Sequence, residues 1–525
     1  MDACLAEPLH VRPPSASSSI APGANFERWL TIAFIGVIVI GLCWRVVRYL
    51  GHFPIWGDEA MLLLNILDRD YAGLTQHLRF AQVAPLFFLW LERTAILLFG
   101  TSEASLHLFP FLAGIATLVI FGLSMRKTFR PVIGGLAVAI LAVSYYPVRH
   151  SAEVKPYAFD LFFAVAFAAL TLGRLRSPDQ SRWLAGLLAM TPIAVFSSYP
   201  SAFVGGAVSL VLLPSMLRTS WRDRILFAMF NIALLGSFLV HYALVGQQQI
   251  DVEEAVRTRE FLRTYWKDAF PPDSVLHWPG WLVKVFTGNM LAHPIGGNHF
   301  GSSGAFVLVL LGSFALVQTR NWSVLGLCWL PFAFNLVAAI LYKYPFGDSA
   351  RITLHLTPFI CILVAHGIWQ AISWVRSDDW RNRLHIVFFV FFAIFGVVGL
   401  VRDIVKPFKT EHDRQIRILA NDIAAATSAF EPTYLMHDRD EELLAEFLWY
   451  LRVRPIDLRW RRQFGELDLS VKSCRLIQCA PAQPPTDPGM PLAGWRVIED
   501  TLRDVPPENH EMPTMYCRVV RLVRD

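Results

Sequence analysis

The stretch VAPLFFLWLERTAILLFG (83–100) decides how this chain is laid out. It is apolar enough to enter a membrane, yet Glu92 and Arg93 stand at its middle. A charge at the centre of a spanning helix costs about 2.5–3.5 kcal/mol on insertion scales. A helix lying in the interface avoids that cost by pointing its charges at water. Residues 83–100 are therefore read as interfacial, with both charges turned to solvent. The choice fixes the side on which every later loop lies.

Outward from this stretch the chain is a series of apolar runs. They lie at about 29–45, 104–125, 132–147, 157–174, 183–199, 202–217, 225–245, 301–318, 322–342, 352–375 and 384–404. Several are only 16 or 17 residues, at the lower limit of about 17 for a helix crossing ~30 Å. Composition agrees: 54% of the 525 residues are hydrophobic and 17% charged, against roughly 25% charged in soluble chains. Mean hydropathy is +0.43. These values exclude disorder, collagen and a coiled coil, and argue against a wholly soluble enzyme. The expected class is an all-α polytopic membrane protein with about eleven transmembrane helices. A net charge of +5 is too small to argue for a nucleic-acid partner.

The positive-inside rule tests the reading of 83–100. With the N-terminus in the cytoplasm and eleven spans, the short cytoplasmic loops hold a dense basic set. It comprises Arg126, Lys127 and Arg130; Arg174, Arg176 and Arg182; Arg218, Arg222 and Arg224; Arg320; and Arg376, Arg381 and Arg383. If 83–100 spanned, the clusters after it would move outside. Residues 1–28 then form a flexible, Pro- and Ser-rich cytoplasmic tail with no cleavage-like signal, and 29–404 a membrane domain. Residues 405–525 form an extracytoplasmic domain whose helical and strand-like segments alternate, so a small α/β fold is expected. The stretch APAQPPTDPGMP (480–491) reads as a loop within it. Cys474, Cys479 and Cys517 lie in this domain, where a disulfide is compatible with an oxidising compartment.

The outer face collects the residues that could carry chemistry. In FPIWGDEAMLLLNIL (53–67), Asp58 and Glu59 begin an amphipathic helix. The helix dipole keeps a carboxylate there ionised, which suits a general base, although capping alone accounts for an Asp at such a position. The short loop HSAEVKPYAFD (150–160) packs His150, Glu153, Lys155 and Tyr157 together and brings Glu153 and Lys155 to one membrane depth, with Asp160 a turn inside the next span. Lys155 could neutralise a phosphate at the interface or simply anchor a helix end. In LYKYPFGDSARITLHLTPF (341–359), Lys343 and Arg351 stand at the outer boundary, and arginine binds phosphate bidentately. Trp278, Trp281 and Phe286 suggest a second interfacial helix, broken at Gly296 and Gly297. His277, His293 and His299 match no standard ligand spacing, so no metal site is assigned.

These elements, in this order, resemble the GT-C superfamily of membrane glycosyltransferases, near the protein mannosyltransferase and lipid A aminoarabinose transferase group. The acidic pair is Asp58-Glu59. The interfacial helix runs from Ala84-Pro85-Leu86-Phe87 to Leu98-Phe99-Gly100-Thr101-Ser102-Glu103. The third element is Ser151-Ala152-Glu153-Val154-Lys155-Pro156-Tyr157-Ala158, and the last is Tyr344-Pro345-Phe346 with Arg351. The likeness is strongest over residues 50–175. Two departures stand out: the usual His-Pro of the interfacial helix is Val83-Ala84, and the usual Arg of the third element is Lys155.

The resemblance implies an integral membrane glycosyltransferase. Its donor would be a polyprenyl-phosphate sugar, and its acceptor a protein, lipid or glycan at the outer face of the plasma membrane. Asp58 is the implied general base, with Glu59 and Glu153 supporting it or orienting the acceptor. Lys155 and Arg351, then Lys343 and Tyr157, are the implied phosphate-binding residues, and no cofactor or metal is called for. Inversion at the anomeric carbon follows from one base and direct displacement. A lipid-linked transporter or flippase, or another lipid-linked group transferase, is the alternative. A transporter needs polar groups at mid-bilayer depth, where His355, Asn231 and Asn335 are the main candidates.

Overall fold

Each of the eleven apolar runs forms helix in the computed structural model. It describes residues 24–246, 266–294, 296–297, 300–428, 431–436, 444–461, 472–481, 485, 495–507 and 514–524. Most of the tail 1–28, His299 and most of the Pro-rich stretch 480–491 lie outside the described residues.

The helices in chain order are α1 (Ala24–Leu50), α2 (Gly57–Asp68), α3 (Leu86–Phe99), α4 (Glu103–Leu106), α5 (Leu108–Thr128), α6 (Pro131–Val143), α7 (Tyr145–Arg149), α8 (Tyr157–Arg176), α9 (Arg182–Ser197), α10 (Ser201–Met216) and α11 (Trp221–His241). There follow α12 (Trp278–Thr287), α13 (Gly301–Gln318), α14 (Trp322–Ile340), α15 (Thr357–Ser373), α16 (Asp378–Val405), α17 (Glu411–Ala426) and α18 (Ala445–Arg452). Among the described residues eight helical segments are long and apolar enough to cross a membrane by length and composition. A ninth, expected as one span over 132–147, is bent by 56° between Val143 and Tyr145. Helices α9 and α10 have 16 residues each, about 24 Å of rise.

Burial separates centre from rim. The spans at Tyr157–Arg176 and Leu354–Ser373 are mostly enclosed, whereas Trp221–Val245 and Asp378–Val405 turn most of their side chains outward. Ile225, Met229, Ile232, Leu235 and Leu239 are exposed on α11, as expected of a helix facing hydrocarbon. Two buried ion pairs tie helices of the bundle together: Arg48 with Asp403 at 2.8 Å, joining α1 to α16, and Arg174 with Asp223 at 2.8 Å.

The segment 83–100 yields a 14-residue helix, about 21 Å long and short of a ~30 Å core. Gly100 ends it at φ +81°, donating to the carbonyl of Ile96 at 3.0 Å. Ser102 then accepts from the Ser105 amide and starts α4. The expectation that both charges face water is corrected. Glu92 is fully buried, and Arg93 turns back to donate to the Ile66 and Leu67 carbonyls at 3.1 and 3.2 Å. Those carbonyls end α2, so the guanidinium serves as its C-terminal partner.

The C-terminal region forms a mixed five-stranded sheet. Its strands are β1 (Pro432–Met436), β2 (Asp457–Arg461), β3 (Ser473–Pro481), β4 (Trp495–Val505) and β5 (Met515–Arg524), in the order β2-β1-β3-β5-β4. Strand β1 runs parallel to β2 and β3, while β5 is antiparallel to β3 and β4. Cys479 and Cys517 face each other across β3 and β5, 4.2 Å apart at Cα, and are disulfide-bonded. Cys474 is buried and free.

Candidate active site

Asp58 occupies the second position of α2, after Gly57 and the N-cap Trp56. One position on, Glu59 accepts the Trp56 amide at 3.4 Å, one half of a capping box. The side chain of Asp58 points instead into a cationic cluster. Its Oδ1 lies 2.9 Å from Lys155 Nζ, and its Oδ2 accepts from Arg351 Nη1 at 3.4 Å. Lys155 is buried, while Asp58 and Arg351 keep about a fifth to a quarter of their side chains exposed. Burial works against the charge on Asp58, but Lys155 and Arg351 outweigh it and hold the carboxyl below its ordinary value.

Gln82 completes the cluster without any signal in the sequence. Its amide nitrogen donates to Asp58 Oδ1 at 3.4 Å, and its oxygen accepts from Lys155 at 2.7 Å. Phe80 and Ala81, both at positive φ, turn the chain immediately before it. Asn65 pins the same loop to α2, accepting from the Arg79 amide at 2.7 Å and donating to its carbonyl at 3.1 Å. The aromatic floor comes from Trp56 and Trp266, with the Arg351 guanidinium 5.8 and 5.4 Å from their ring centres. Arg149 stands 5.9 Å and Lys409 3.0 Å from the Trp56 ring.

Glu59 and Glu153 are also close by, but both are buried and bonded to protein. Glu59 accepts the Val154 amide, tying α2 to the 153–155 loop, and lies 3.4 Å from His107 Nε2. Glu153 is held by Arg149 Nε and His150 Nδ1, each at 2.6 Å. Burial opposes its charge, yet Arg149 and His150 keep it well below the usual carboxylate range. Tyr157 opens α8 after Pro156, with its ring edge-on to His150 at 5.0 Å. Lys343 is exposed and makes no ion pair among the described residues. His293 is buried near Thr357, whereas His277 is exposed on a separate turn. Behind the cluster, Glu92 is buried with no hydrogen-bond partner among the described residues. Burial, reinforced by the charge of Glu59, pushes its carboxyl well above the ordinary value.

These contacts also settle which loops share an end of the bundle, because each crossing changes sides. Between Asp58 and Lys155 the chain crosses twice, through α4/α5 and through the bent α6/α7 unit. From Lys155 to Arg351 it passes α8, α9, α10, α11, α13 and α14, an even number. A spanning α3 would put Asp58 and Lys155 at opposite ends, which a 2.9 Å ion pair forbids. Leu86, at the start of α3, points its amide toward His241 Nε2 at 3.5 Å, at the end of α11. That helix therefore lies along the same end as Asp58.

Comparison with known proteins agrees with this arrangement. Residues 83–241 match the family described as dolichyl-phosphate-mannose-protein mannosyltransferase. None of the curated protein sequences matches the chain. Among solved structures the chain is similar to ArnT from Cupriavidus metallidurans in the apo state. That likeness has a TM-score of 0.54 and 12% identity, over 95% of this chain and 98% of the other. It is also similar to the same protein bound to undecaprenyl phosphate, with a TM-score of 0.51 and 12% identity, over 94% and 97% of the two chains. The family match thus lies across α3 to α11, and the fold is shared with ArnT over nearly the whole of both chains.

Proposed function

We propose that this enzyme transfers a sugar from a polyprenyl-phosphate carrier to an acceptor at the extracytoplasmic face, with inversion, and that Asp58 is the general base. The observation that carries the proposal is the meeting of Asp58, Lys155 and Arg351 at one end of the bundle. Two cations on one carboxylate, at one end of the bundle, suit an anionic lipid phosphate. The ArnT structure holding undecaprenyl phosphate supports that class of ligand.

The chemistry follows from charge. A sugar phosphodiester carries one negative charge, and the monophosphate that leaves carries close to two. Lys155 and Arg351 are placed to stabilise the charge that develops as the glycosidic C–O bond breaks. As the enzyme stands, Asp58 is a poor base, since Lys155 and Arg351 both engage its oxygens. A donor phosphate draws those cations to itself, frees Asp58, and leaves it beside the acceptor hydroxyl whose proton it accepts. Gln82 keeps Lys155 in place during that exchange, and Glu59 and Glu153 act as positioning residues on α2 and on the 149–155 loop. Tyr157 lines the phosphate side, and Lys343 attracts the anion from a distance.

Charge and sulfur support this orientation. The arginine-rich ends lie opposite the Asp58 end, and the Cys479–Cys517 bond suits an oxidising compartment. The test is turnover by the purified, lipid-reconstituted enzyme with a polyprenyl-phosphate sugar. Asp58→Asn is expected to lose about 10²-fold or more, and near-normal turnover would remove Asp58 as base. Lys155→Ala is expected to weaken binding of the polyprenyl phosphate itself. Mass spectrometry of envelope lipids and glycans from a deletion strain identifies the acceptor.

A further inference from the structure

Helix α2 carries Asp58, and the C-terminal domain grips it at both ends. At its entrance, Tyr450 Oη of α18 accepts the amide of Ile55 at 2.7 Å, and both residues are buried. Ile55 precedes the helix, so this hydroxyl supplies the acceptor for its amide. Arg417 of α17 donates to the His52 carbonyl at 2.7 Å, and Lys409 lies 3.0 Å from the centre of the Trp56 ring. At the exit, Arg452 pairs with Asp68, the last residue of α2, at 2.6 Å.

A domain that merely capped the bundle would have no reason to converge on this helix. Four of its side chains meet residues 52–68, and two of those contacts fall on Ile55 and Trp56, within three residues of Asp58. The Trp56 ring is shared, since Lys409 covers it while Arg351, the partner of Asp58, stands 5.8 Å away. The contact of Asp58 with Arg351 is 3.4 Å, near the limit of a hydrogen bond. A shift of a few tenths of an ångström at Ile55 therefore makes or breaks it.

We propose that the C-terminal domain is a positioning clamp for the catalytic helix. Tyr450 is its main positioning residue, fixing the chain at Ile55 and with it the place of Asp58. Lys409 acts beside it through Trp56. The proposal rests on Asp58 as base.

The experiment uses full-length enzyme in lipid and compares Tyr450→Phe with wild type. The ring is retained and the single acceptor oxygen removed. Amide exchange over residues 52–60 is expected to rise while the spans and β1 stay protected. The kcat is expected to fall about tenfold, with the donor KM within about twofold, because misalignment acts on the transition state more than on binding. Unchanged exchange, or faster exchange with kcat within twofold of wild type, overturns the proposal.

If Tyr450→Phe does not fold, Lys409→Met carries the test. It should lower kcat while Lys409→Arg, which keeps a cation over Trp56, retains it; wild-type turnover in Lys409→Met overturns the proposal. Asp58→Asn in parallel separates the two readings. Its full activity sinks the base and the catalytic purpose of the clamp together, whereas its inactivity beside an unaffected Tyr450→Phe sinks the clamp alone.

Discussion

Asp58 and Glu92 are two carboxyls near one site with opposite environments, and pH separates them. The cations around Asp58 hold its carboxyl below the ordinary value. Its stabilising contribution is therefore complete above the unfolded value of about 3.9 and is lost as pH falls through the folded one. Glu92 is pushed up. Below the unfolded value of about 4.3 both states are protonated and nothing is lost; above it the unfolded chain ionises while the native state keeps its proton. Stability then declines with rising pH by at most about 1.4 kcal/mol per unit. Glu92→Gln removes this slope. The melting temperature of the variant should gain on wild type as pH rises above about 4.3, and a pH-independent difference would contradict it. Arg351→Lys tests geometry at constant charge: the planar fork and its place between Trp56 and Trp266 are lost. Polyprenyl-phosphate binding by calorimetry should weaken by about tenfold while the fold persists.

At the scale of elements, the packing of α13 on α15 depends on two glycines. A Cβ on Gly312 would fall on the carbonyl of Leu363, and one on Gly367 on that of Leu308. The obstacles are backbone atoms, so a neighbouring side chain cannot yield; the two helices must part. Gly367→Ala is expected to cost about 1–3 kcal/mol, read as a lower detergent-denaturation midpoint. Gly36, which has open space around it, is the control and should tolerate alanine. These glycines were not distinguishable from others in the apolar runs, because close approach belongs to a pair of helices. The runs themselves were legible. The bend between Val143 and Tyr145 was not, since the 132–147 run is continuously apolar. Strand β2 was not legible either: DLRWR (457–461) alternates polar and apolar residues, but with only two apolar positions in five it is too short a pattern to stand out beside the preceding helix.

For the molecule as a whole, even numbers of crossings place the α2 entrance, the 149–155 loop, Arg351 and the C-terminal sheet together. Single-cysteine labelling in whole cells tests this directly. Probes at Asp70 and Lys343 should react with an impermeant reagent, and probes at Lys127 and Arg222 only after permeabilisation. The Cys479–Cys517 bond gives a second check. Replacing both by serine should cost about 2–4 kcal/mol of C-terminal domain stability while leaving the bundle assembled. By the clamp argument, that loosening should also lower turnover.

By itself the sequence determined the membrane class, the eleven apolar runs and the charged residues that border them. Hydropathy, helix length and the placing of charges are properties of single segments, and they act before any tertiary contact forms. The motif-bearing Asp58, Lys155 and Arg351 were legible for the same reason: each stands in a short polar segment beside an apolar run. Only the tertiary structure decided that they meet, that Gln82 bridges two of them, and that Glu92 points inward although its helix lies on the surface. It also decided that a domain more than 300 residues away in sequence holds the helix of Asp58. These outcomes depend on which faces of distant segments are brought together, and no local pattern encodes the partner of a buried side chain.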